Sequence, residues 1–337
     1  MKILSSFGLK NVHRDAEGNA IGFLITHPKQ KKFILLCAHA DTACDTPSPI
    51  RVREDATFLH AHGICDNAAG VTALLTFLKF VRDVKIPLEQ NYLVVFTVGE
   101  EGLGAKRGMK RIITKYEKII SHVVNIESHD IGRVTNACVG QYRADFSVIA
   151  KQKGAHSWRN FGEPNAVVIL SSIIHDLSKI TRPKDTTYNV TAIQGGKSIN
   201  AIPGEAKMLL EFRAERQKNI NALVQLFHRV LRTHKKGGVT FKLTMLSMTK
   251  AASMPKNHLL CTTARKVQRS LGIRPFFKIG NTDGDVSLAR GIPTVTLGAS
   301  NGFATHSLEE KMEKKTYLKG VEQVIEIILA LDRKIRT

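Results

Sequence analysis

The chain has 337 residues, of which 43% are hydrophobic and 23% are charged, and its formal net charge is +21 at pH 7. This length favours two domains over one, and the hydrophobic fraction is sufficient for a folded core. The sequence shows no apolar run of the ~18 residues that a membrane span needs and no signal-peptide pattern. The five cysteines, Cys37, Cys44, Cys65, Cys138 and Cys261, are irregularly spaced, which excludes a disulfide framework. We therefore expect a soluble, reduced, cytoplasmic protein.

The positive charge raises the question of nucleic-acid binding. The basic residues are scattered over different predicted elements, at 29–32, 106–111, 234–236 and 311–315. Aromatic residues make up only 6% of the chain, which is too few for a platform that stacks on bases. A generally basic surface explains the charge better than a nucleic-acid site.

The first part of the chain alternates between strand and helix patterns. After a predicted hairpin, a continuous apolar strand is followed by a helix, a strand, a helix and a strand. Continuous apolar strands are typical of parallel sheets covered on both faces, and the alternation predicts an α/β domain with a mostly parallel sheet. The predicted segments are 31–41, 66–81, 91–101, 104–116 and 121–128.

From about residue 139 the order becomes β-α-β-β-α-β, which is that of a ferredoxin-like module. Its predicted strands are 141–150, 186–194, 206–214 and 239–246, and its predicted helices are 164–180 and 219–234. After about residue 249 the βα pattern returns and ends in a helix from Thr316 to Leu331. We therefore predict an inserted α+β domain, residues 139–248, within an α/β domain formed by residues 1–138 and 249–337.

Imidazole and carboxylate side chains follow the predicted parallel strands at their carboxyl ends, where ligands of open α/β sheets gather. The stretch "TVGEEGLG" (97–104) places two adjacent glutamates there. Any one of these side chains alone would say little about function. Together they indicate a shared site at one edge of one sheet. The set is His39, Asp41, Asp66, Glu100, Glu101, Glu127 and His306.

Zinc accepts both imidazole and carboxylate ligands, and cobalt or manganese fit the same donors. Five candidate ligands are too many for one tetrahedral zinc with an open position. They suit two metals ~3.5–4 Å apart that share a bridging carboxylate. Asp41 could then orient the ring of His39, and Glu100 stays free as the base for an activated water. The five candidate ligands are His39, Asp66, Glu101, Glu127 and His306.

The series "CAHADT", "GICDNAAG", "TVGEEGLG", "NIESHD" and "ATHSLEE", in this order, resembles the co-catalytic zinc peptidase and deacylase family. That family includes peptidase T, carboxypeptidase G, acetylornithine deacetylase and succinyl-diaminopimelate desuccinylase. The stretches "KGAHSWRNFGEPNAV" and "GGKSINAIPGEAKMLLEFR" resemble its dimerisation or lid domain. The resemblance covers nearly the whole chain.

The resemblance implies a role for each of these side chains. It assigns His39 and Glu127 to one metal and Glu101 and His306 to the other. It makes Asp66 the bridging ligand, Glu100 the base and Asp41 the partner that orients His39, and it implies a cis peptide bond between Asp66 and Asn67.

In the inserted domain the resemblance implies three more functional residues. His156 matches a histidine that reaches the partner subunit's site and polarises the scissile carbonyl. Asn200 and Arg213 match residues that hold a substrate carboxylate, a task that suits an arginine fork. The resemblance thus implies a homodimer formed through the inserted domain.

We predict a metal-dependent amide hydrolase, most similar to aminopeptidases or tripeptidases that act on short peptides, because "GAHSWRNFG" is nearest to the peptidase T-like branch. An N-acyl-amino-acid deacylase is the alternative within the same class. A non-catalytic protein that binds anions or nucleic acid on this fold is the alternative outside it. The intact base and the full ligand set argue against the non-catalytic alternative.

Overall fold

The computed structural model describes residues 1–43, 50–235 and 237–335. The chain forms two compact units, a discontinuous unit of Met1–Cys138 and Ser253–Thr337 and an inserted unit of Val139–Ala252. Cys44 lies outside the described residues, and the other four cysteines are buried free thiols.

Strands and helices alternate along much of the chain. The strands are β1 (Lys10–Arg14), β2 (Ala20–Leu24), β3 (Phe33–His39), β4 (Arg53–Glu54), β5 (Phe58–His60), β6 (Asn91–Thr97), β7 (Ile120–Glu127), β8 (Arg133–Thr135), β9 (Ala137–Cys138), β10 (Gly140–Ala150), β11 (Ala155–His156), β12 (Thr186–Gly195), β13 (Ala201–Ile202), β14 (Glu205–Ala214), β15 (Val239–Thr249), β16 (Ala252–Ser253), β17 (Phe276–Phe277), β18 (Thr294–Gly298), β19 (Gly302–Phe303) and β20 (Lys311–Glu313). The helices are α1 (Lys2–Ser6), α2 (Gly70–Val84), α3 (Arg107–Tyr116), α4 (Ala166–Ser178), α5 (Gln217–Thr233), α6 (Leu259–Ser270), α7 (Gly284–Ala289) and α8 (Lys314–Asp332).

The discontinuous unit is built on a sheet with the strand order β1-β2-β6-β3-β7-β18-β8-β17. The central strands β6, β3, β7 and β18 are parallel, whereas the β1–β2 hairpin is antiparallel to β6 at one edge and β8 is antiparallel to β18 towards the other. Every residue of β6 is buried, as expected for a strand covered on both faces. The prediction of an α/β fold with a mostly parallel sheet is confirmed.

The helices cover both faces of this sheet because their apolar residues recur at helical spacing. Helix α2 packs against β3 and α8, and α3 contributes Met109, Ile112 and Ile113 to a core cluster that includes Leu35 of β3. A smaller sheet with the order β19-β20-β5-β4 places the segment before α8 against the segment before α2. That pairing matters for the site, because each of these segments carries one candidate ligand.

One helical stretch of the described residues, Ile64–Val84, is long and apolar enough to cross a membrane by length and composition. Half of its most apolar 18-residue window is buried inside the protein. Its buried side includes Leu74, Phe77 and Leu78, which are 0–3% exposed. The helix therefore packs its apolar side into the core of the discontinuous unit.

The inserted unit is an antiparallel sheet with the order β12-β14-β10-β15, and helices α4 and α5 pack on one of its faces. Burial alternates along β14, as period-two geometry requires, and Met208, Leu210 and Phe212 face the helices. Helix α4 begins at an Asn165 cap, whose side chain accepts hydrogen bonds from the backbone N–H groups of Val167 and Val168. The element order is the predicted β-α-β-β-α-β, and β12 and β15 are the edge strands of this sheet.

Candidate metal centre

The ends of the parallel strands lie level with each other. His39 pairs with Thr97 across β3 and β6, and Gly298 pairs with Glu127 across β18 and β7. The register between β3 and β7 pairs Cys37 with Asn125, which places His39 and Glu127 beside each other two residues later. The predicted edge of the sheet therefore collects side chains from separate parts of the sequence.

Asp66 lies between two groups of candidate ligands. Its Oδ1 is 2.9 Å from Nε2 of His39, and the same nitrogen is 3.6 Å from Oε2 of Glu127. Its Oδ2 is 3.1 Å from Nε2 of His306, and that nitrogen is 3.2 Å from Oε1 of Glu101. One carboxylate thus faces two imidazoles with two different oxygens, as a bridging ligand does.

The donor set fits two divalent cations. In each triplet, His39–Asp66–Glu127 and Asp66–Glu101–His306, the donor atoms all lie within 4.8 Å of one another. Asp66 and Glu127 are 6% and 2% exposed. Buried carboxylates this close repel one another unless cations neutralise them. Imidazole and carboxylate donors suit zinc, cobalt or manganese.

Asp41 and Glu100 lie around these ligands. The Nδ1 of His39 is 3.1 Å from the backbone oxygen of Asp41 and 3.7 Å from its Oδ1, so the carbonyl is the nearer orienting group. The Asp41 carboxylate accepts the backbone N–H groups of Glu100 and Glu101 at 3.2 and 3.1 Å. Asp41 therefore fixes the turn that carries both glutamates. Glu100 offers an oxygen within 4.8 Å of donor atoms of His39 and Glu101.

The electrostatics of the site follow from burial and crowding. Burial acts to lower the pKa of His39, but the charge of Glu127 and the hydrogen bonds to Asp41 and Asp66 hold it well above its usual value. Burial acts to raise the pKa of Asp66, but the hydrogen bond with His39 and the charges of His39, His129 and His306 together lower it to about 2. Burial, reinforced by repulsion from Glu127, raises the pKa of Glu100 to about 9. A cation beside Glu100 would favour its ionised form and act in the opposite direction.

The loop that carries Asp66 is held by Glu310, which the sequence interpretation did not single out. The Glu310 carboxylate, which is 1% exposed, accepts the backbone N–H groups of Gly63, Cys65 and Asp66 at 2.8, 2.9 and 2.8 Å. Two adjacent glutamates in "THSLEE" repeat the signal of Glu100–Glu101 and could have indicated it. The Asp66–Asn67 peptide bond is cis, as expected from the resemblance.

Further buried polar groups lie behind the ligands and also went unpredicted. Asn125 donates from Nδ2 to Oε1 of Glu127 at 3.3 Å, which orients that carboxylate. Thr97 donates to Asp283, whose burial raises its pKa to about 6. The Lys106 ammonium pairs with the buried Asp285 carboxylate. Thr97 ends β6, but a threonine there gives no signal of its own, and the other unpredicted residues do not stand at strand ends, so only the fold reveals these groups.

In the inserted unit, His156 and Asn200 lie on one pair of short strands and the turns that flank it. His156 pairs with Ala201 across β11 and β13, and the backbone oxygen of Asn200 accepts the N–H of Ser157 at 3.0 Å. Both are exposed. Nδ1 of His156 accepts the backbone N–H groups of Trp158 and Arg159 at 3.2 and 3.4 Å.

Arg213 lies on β14, on the face opposite the helices. Its Nε and Nη2 donate to Glu211 at 2.8 and 3.1 Å, and Glu211 also accepts from Nε of Arg143 at 2.8 Å. These hydrogen bonds outweigh burial and lower the pKa of Glu211. Two donors of the Arg213 fork are therefore already engaged by a neighbouring carboxylate.

A family model, "Peptidase family M20/M25/M40", matches residues 35–330, which is most of the chain. The chain belongs to this peptidase family. The family depends on two metal ions, zinc is typical of it, and the chain is a hydrolase that acts on small substrates.

Individual relatives agree with this family. The chain is 26% identical over 308 residues to a putative succinyl-diaminopimelate desuccinylase of Mycobacterium tuberculosis, covering 88% of this chain and 81% of the relative. A tripeptidase structure from Staphylococcus aureus matches with a TM-score of 0.84 at 22% identity, over 98% of this chain and 91% of that one. Aminopeptidase PepT from Bacillus cereus matches with a TM-score of 0.80 at 20% identity, over the same shares of both chains. At these identities the two structures establish the fold.

Proposed function

We propose that this enzyme hydrolyses the amide bond of short peptides at a two-metal centre. The observation that carries the proposal is the position of Asp66, whose two carboxylate oxygens face His39 and His306 separately. Each side has a further carboxylate at hand, Glu127 on one and Glu101 on the other. We assign these five residues as the metal ligands and zinc as the metal.

Divalent cations held there would supply Lewis acidity, lowering the pKa of a water and polarising the substrate carbonyl. Glu100 accepts the proton of the attacking water and delivers it to the leaving nitrogen, which makes the amine a viable leaving group. Its turn is fixed by the two hydrogen bonds to Asp41, so the carboxylate is held in place before substrate arrives.

We assign His156 as a donor to the carbonyl oxygen. Because Nδ1 accepts two backbone N–H groups, the proton of the neutral ring resides on Nε2, which is then available to donate. Asn200 and Arg213 hold the substrate carboxylate, with Glu211 orienting the arginine fork. Removal of Glu211 would therefore weaken substrate binding through Arg213.

A deacylase of N-acyl amino acids is the second candidate, because a desuccinylase is among the sequence relatives. A screen of short peptides and N-acyl amino acids, each with zinc, cobalt or manganese, separates the two. We expect cleavage of di- or tripeptides with at least one metal. Cleavage of N-acyl amino acids alone would establish the deacylase, and metal-loaded protein that cleaves neither class would contradict both.

We further propose that the enzyme is a cytoplasmic homodimer, formed through the inserted unit, in which His156 serves the partner's site. The sheet of this unit has the edge strands β12 and β15, and an unpaired edge is a liability that a second copy removes. Light scattering should give about twice 37.3 kDa. Mixed dimers of His156→Ala and Glu100→Gln chains should regain part of the activity, since one site is then intact. A fully active monomer would contradict the dimer and the shared site.

A further inference from the structure

The two imidazoles of the candidate metal centre are held in different ways. His39 ends β3 and its side chain is 1% exposed, so the surrounding core fixes this ring. His306 lies in the loop 304–310 that joins β19 to β20, and its side chain is 54% exposed. Packing against a core therefore does little to fix the His306 ring, whose position depends on how its loop is held.

The backbone of this loop adopts an unfavourable conformation. Ala304 and His306 have φ angles of +53° and +63°, in the left-handed region that residues other than glycine seldom adopt. Within the loop, Oγ of Ser307 donates to the backbone oxygen of Ala304 at 2.7 Å and accepts the N–H of Glu309 at 3.2 Å. Such a conformation persists only where surrounding contacts enforce it. Contacts made to this loop therefore decide where His306 lies.

A buried histidine, His62, reaches this loop from the segment that precedes Asp66. His62 is 7% exposed, and its Nδ1 lies 3.2 Å from the backbone oxygen of Ser307, the residue after His306. Because a carbonyl oxygen only accepts hydrogen bonds, Nδ1 of His62 must carry the proton and donate it. The Nε2 of the same ring is buried and has no hydrogen-bond partner among the described residues. The ring of His62 is therefore oriented towards Ser307.

The two segments hold each other by contacts in both directions. Glu310, from the segment of His306, accepts backbone N–H groups of the segment that carries Asp66. His62, from the segment that carries Asp66, donates to the backbone beside His306. These contacts serve different ligands. Glu310 holds the bridging carboxylate, which both metals would share, whereas His62 holds the loop of an imidazole that only one metal would contact.

We propose that His62 is a positioning residue for the metal that His306 binds, an inference that rests on the proposed assignment of His306 as a ligand. Its hydrogen bond to Ser307 fixes the loop so that Nε2 of His306 lies 3.1 Å from Oδ2 of Asp66. Without this bond the exposed loop has other conformations open to it, and metal binding must then order it. The loss of affinity falls on the metal site of His306 and spares the metal site of His39.

Zinc titration of the metal-free full chain measures the affinities of the two sites. His62→Leu should weaken the site of His306 about 10- to 100-fold, as expected when an orienting contact is lost, and change the site of His39 less than about threefold. His62→Asn keeps a donor as many bonds from Cα as Nδ1, so it should retain most of the lost affinity. His60→Leu is the matched control, because His60 bonds to Asp55 rather than to the loop, and it should change neither site.

A double-mutant cycle shows whether His62 acts through His306. In the His306→Ala background, His62→Leu should have no further effect on zinc affinity, because the loop no longer carries a ligand. An equal loss in both backgrounds would overturn the proposal, and so would two unchanged sites in the single variant His62→Leu. If His306→Ala itself leaves both sites unchanged, the ligand assignment fails and this inference fails with it.

The ring of His62 also gives a test that needs no variant. In the zinc-loaded wild type, nitrogen-15 NMR of the histidine side chains should show the proton of His62 on Nδ1. A proton on Nε2 alone would exclude the hydrogen bond to Ser307. That result would overturn the proposal even if His62→Leu does not fold.

Discussion

Glu310 offers a sharp test of how the bridging carboxylate is positioned. Its two oxygens accept three buried backbone N–H groups, from Gly63 on Oε2 and from Cys65 and Asp66 on Oε1. Glu310→Ala leaves all three donors unsatisfied, and each buried unsatisfied donor costs about 1–3 kcal/mol. Partial relief by water gives an expected loss of about 3–5 kcal/mol in the free energy of unfolding.

Glu310→Gln should lose less stability than Glu310→Ala. Its amide oxygen can take the Oε1 position and satisfy two of the donors, while the NH₂ group opposes the N–H of Gly63. One unsatisfied donor predicts a loss of about 1–3 kcal/mol. Both variants should also bind metal about 10- to 100-fold more weakly, as expected when a group that orients a ligand is lost.

The assay is urea unfolding followed by circular dichroism in the presence of a chelator, with metal affinity measured separately by titration. Glu309→Ala is the matched control, because its side chain is exposed and adjacent in sequence. Stability of Glu310→Ala within about 0.5 kcal/mol of that control would refute the reasoning, since surface substitutions stay within that range.

Three further predictions address catalysis, metal content and pH. Glu100→Gln should retain its metal and lose about 10²–10⁴-fold in kcat, because an amide cannot accept the water's proton; steady-state kinetics and metal analysis check this. His306→Ala should bind one metal with native affinity and the second weakly, which titration with zinc measures, and two unchanged sites would remove His306 from the ligand set. Burial, reinforced by the charge of His258, lowers the pKa of His122 from 6.5 to about 4. Between these two pKa values the folded state therefore binds fewer protons than the unfolded state. The stability linked to neutral His122 is fully present above pH 6.5 and is lost as the pH drops towards 4. His122→Phe should flatten that part of the pH–stability curve in chemical unfolding, and an unchanged slope would contradict the assignment.

Much of the fold was readable because its elements are long and strongly patterned. The apolar runs of β3 and β6 clearly indicate strands, and the spacing of the apolar residues in α2 clearly indicates a helix. The sheet edge beyond β18 was only partly readable: the stretch that contains β17 belongs to the βα pattern that returns after residue 249, whereas β8 has three residues and no periodicity of its own. Their pairing is set by neighbouring strands rather than by local sequence.

The candidate site, like the fold, was only partly predictable from the sequence. Side chains at strand ends could be grouped from sequence, since parallel strands bring their carboxyl ends to one edge. The groups that hold them could not, because Glu310 lies 244 residues from Asp66 and bonds to its backbone rather than its side chain. Asp41 illustrates the limit: the sequence suggested a role for its carboxylate at His39, whereas its backbone oxygen is nearer and its carboxylate holds the Glu100–Glu101 turn.

The central claim is that Asp66 bridges two metals. A crystal structure of zinc-loaded protein, with anomalous diffraction recorded at the zinc edge, tests it directly. We expect two anomalous peaks ~3.5–4 Å apart on either side of the Asp66 carboxylate, one beside His39 and Glu127 and the other beside Glu101 and His306. A single peak, or peaks that Asp66 does not contact, would contradict the account.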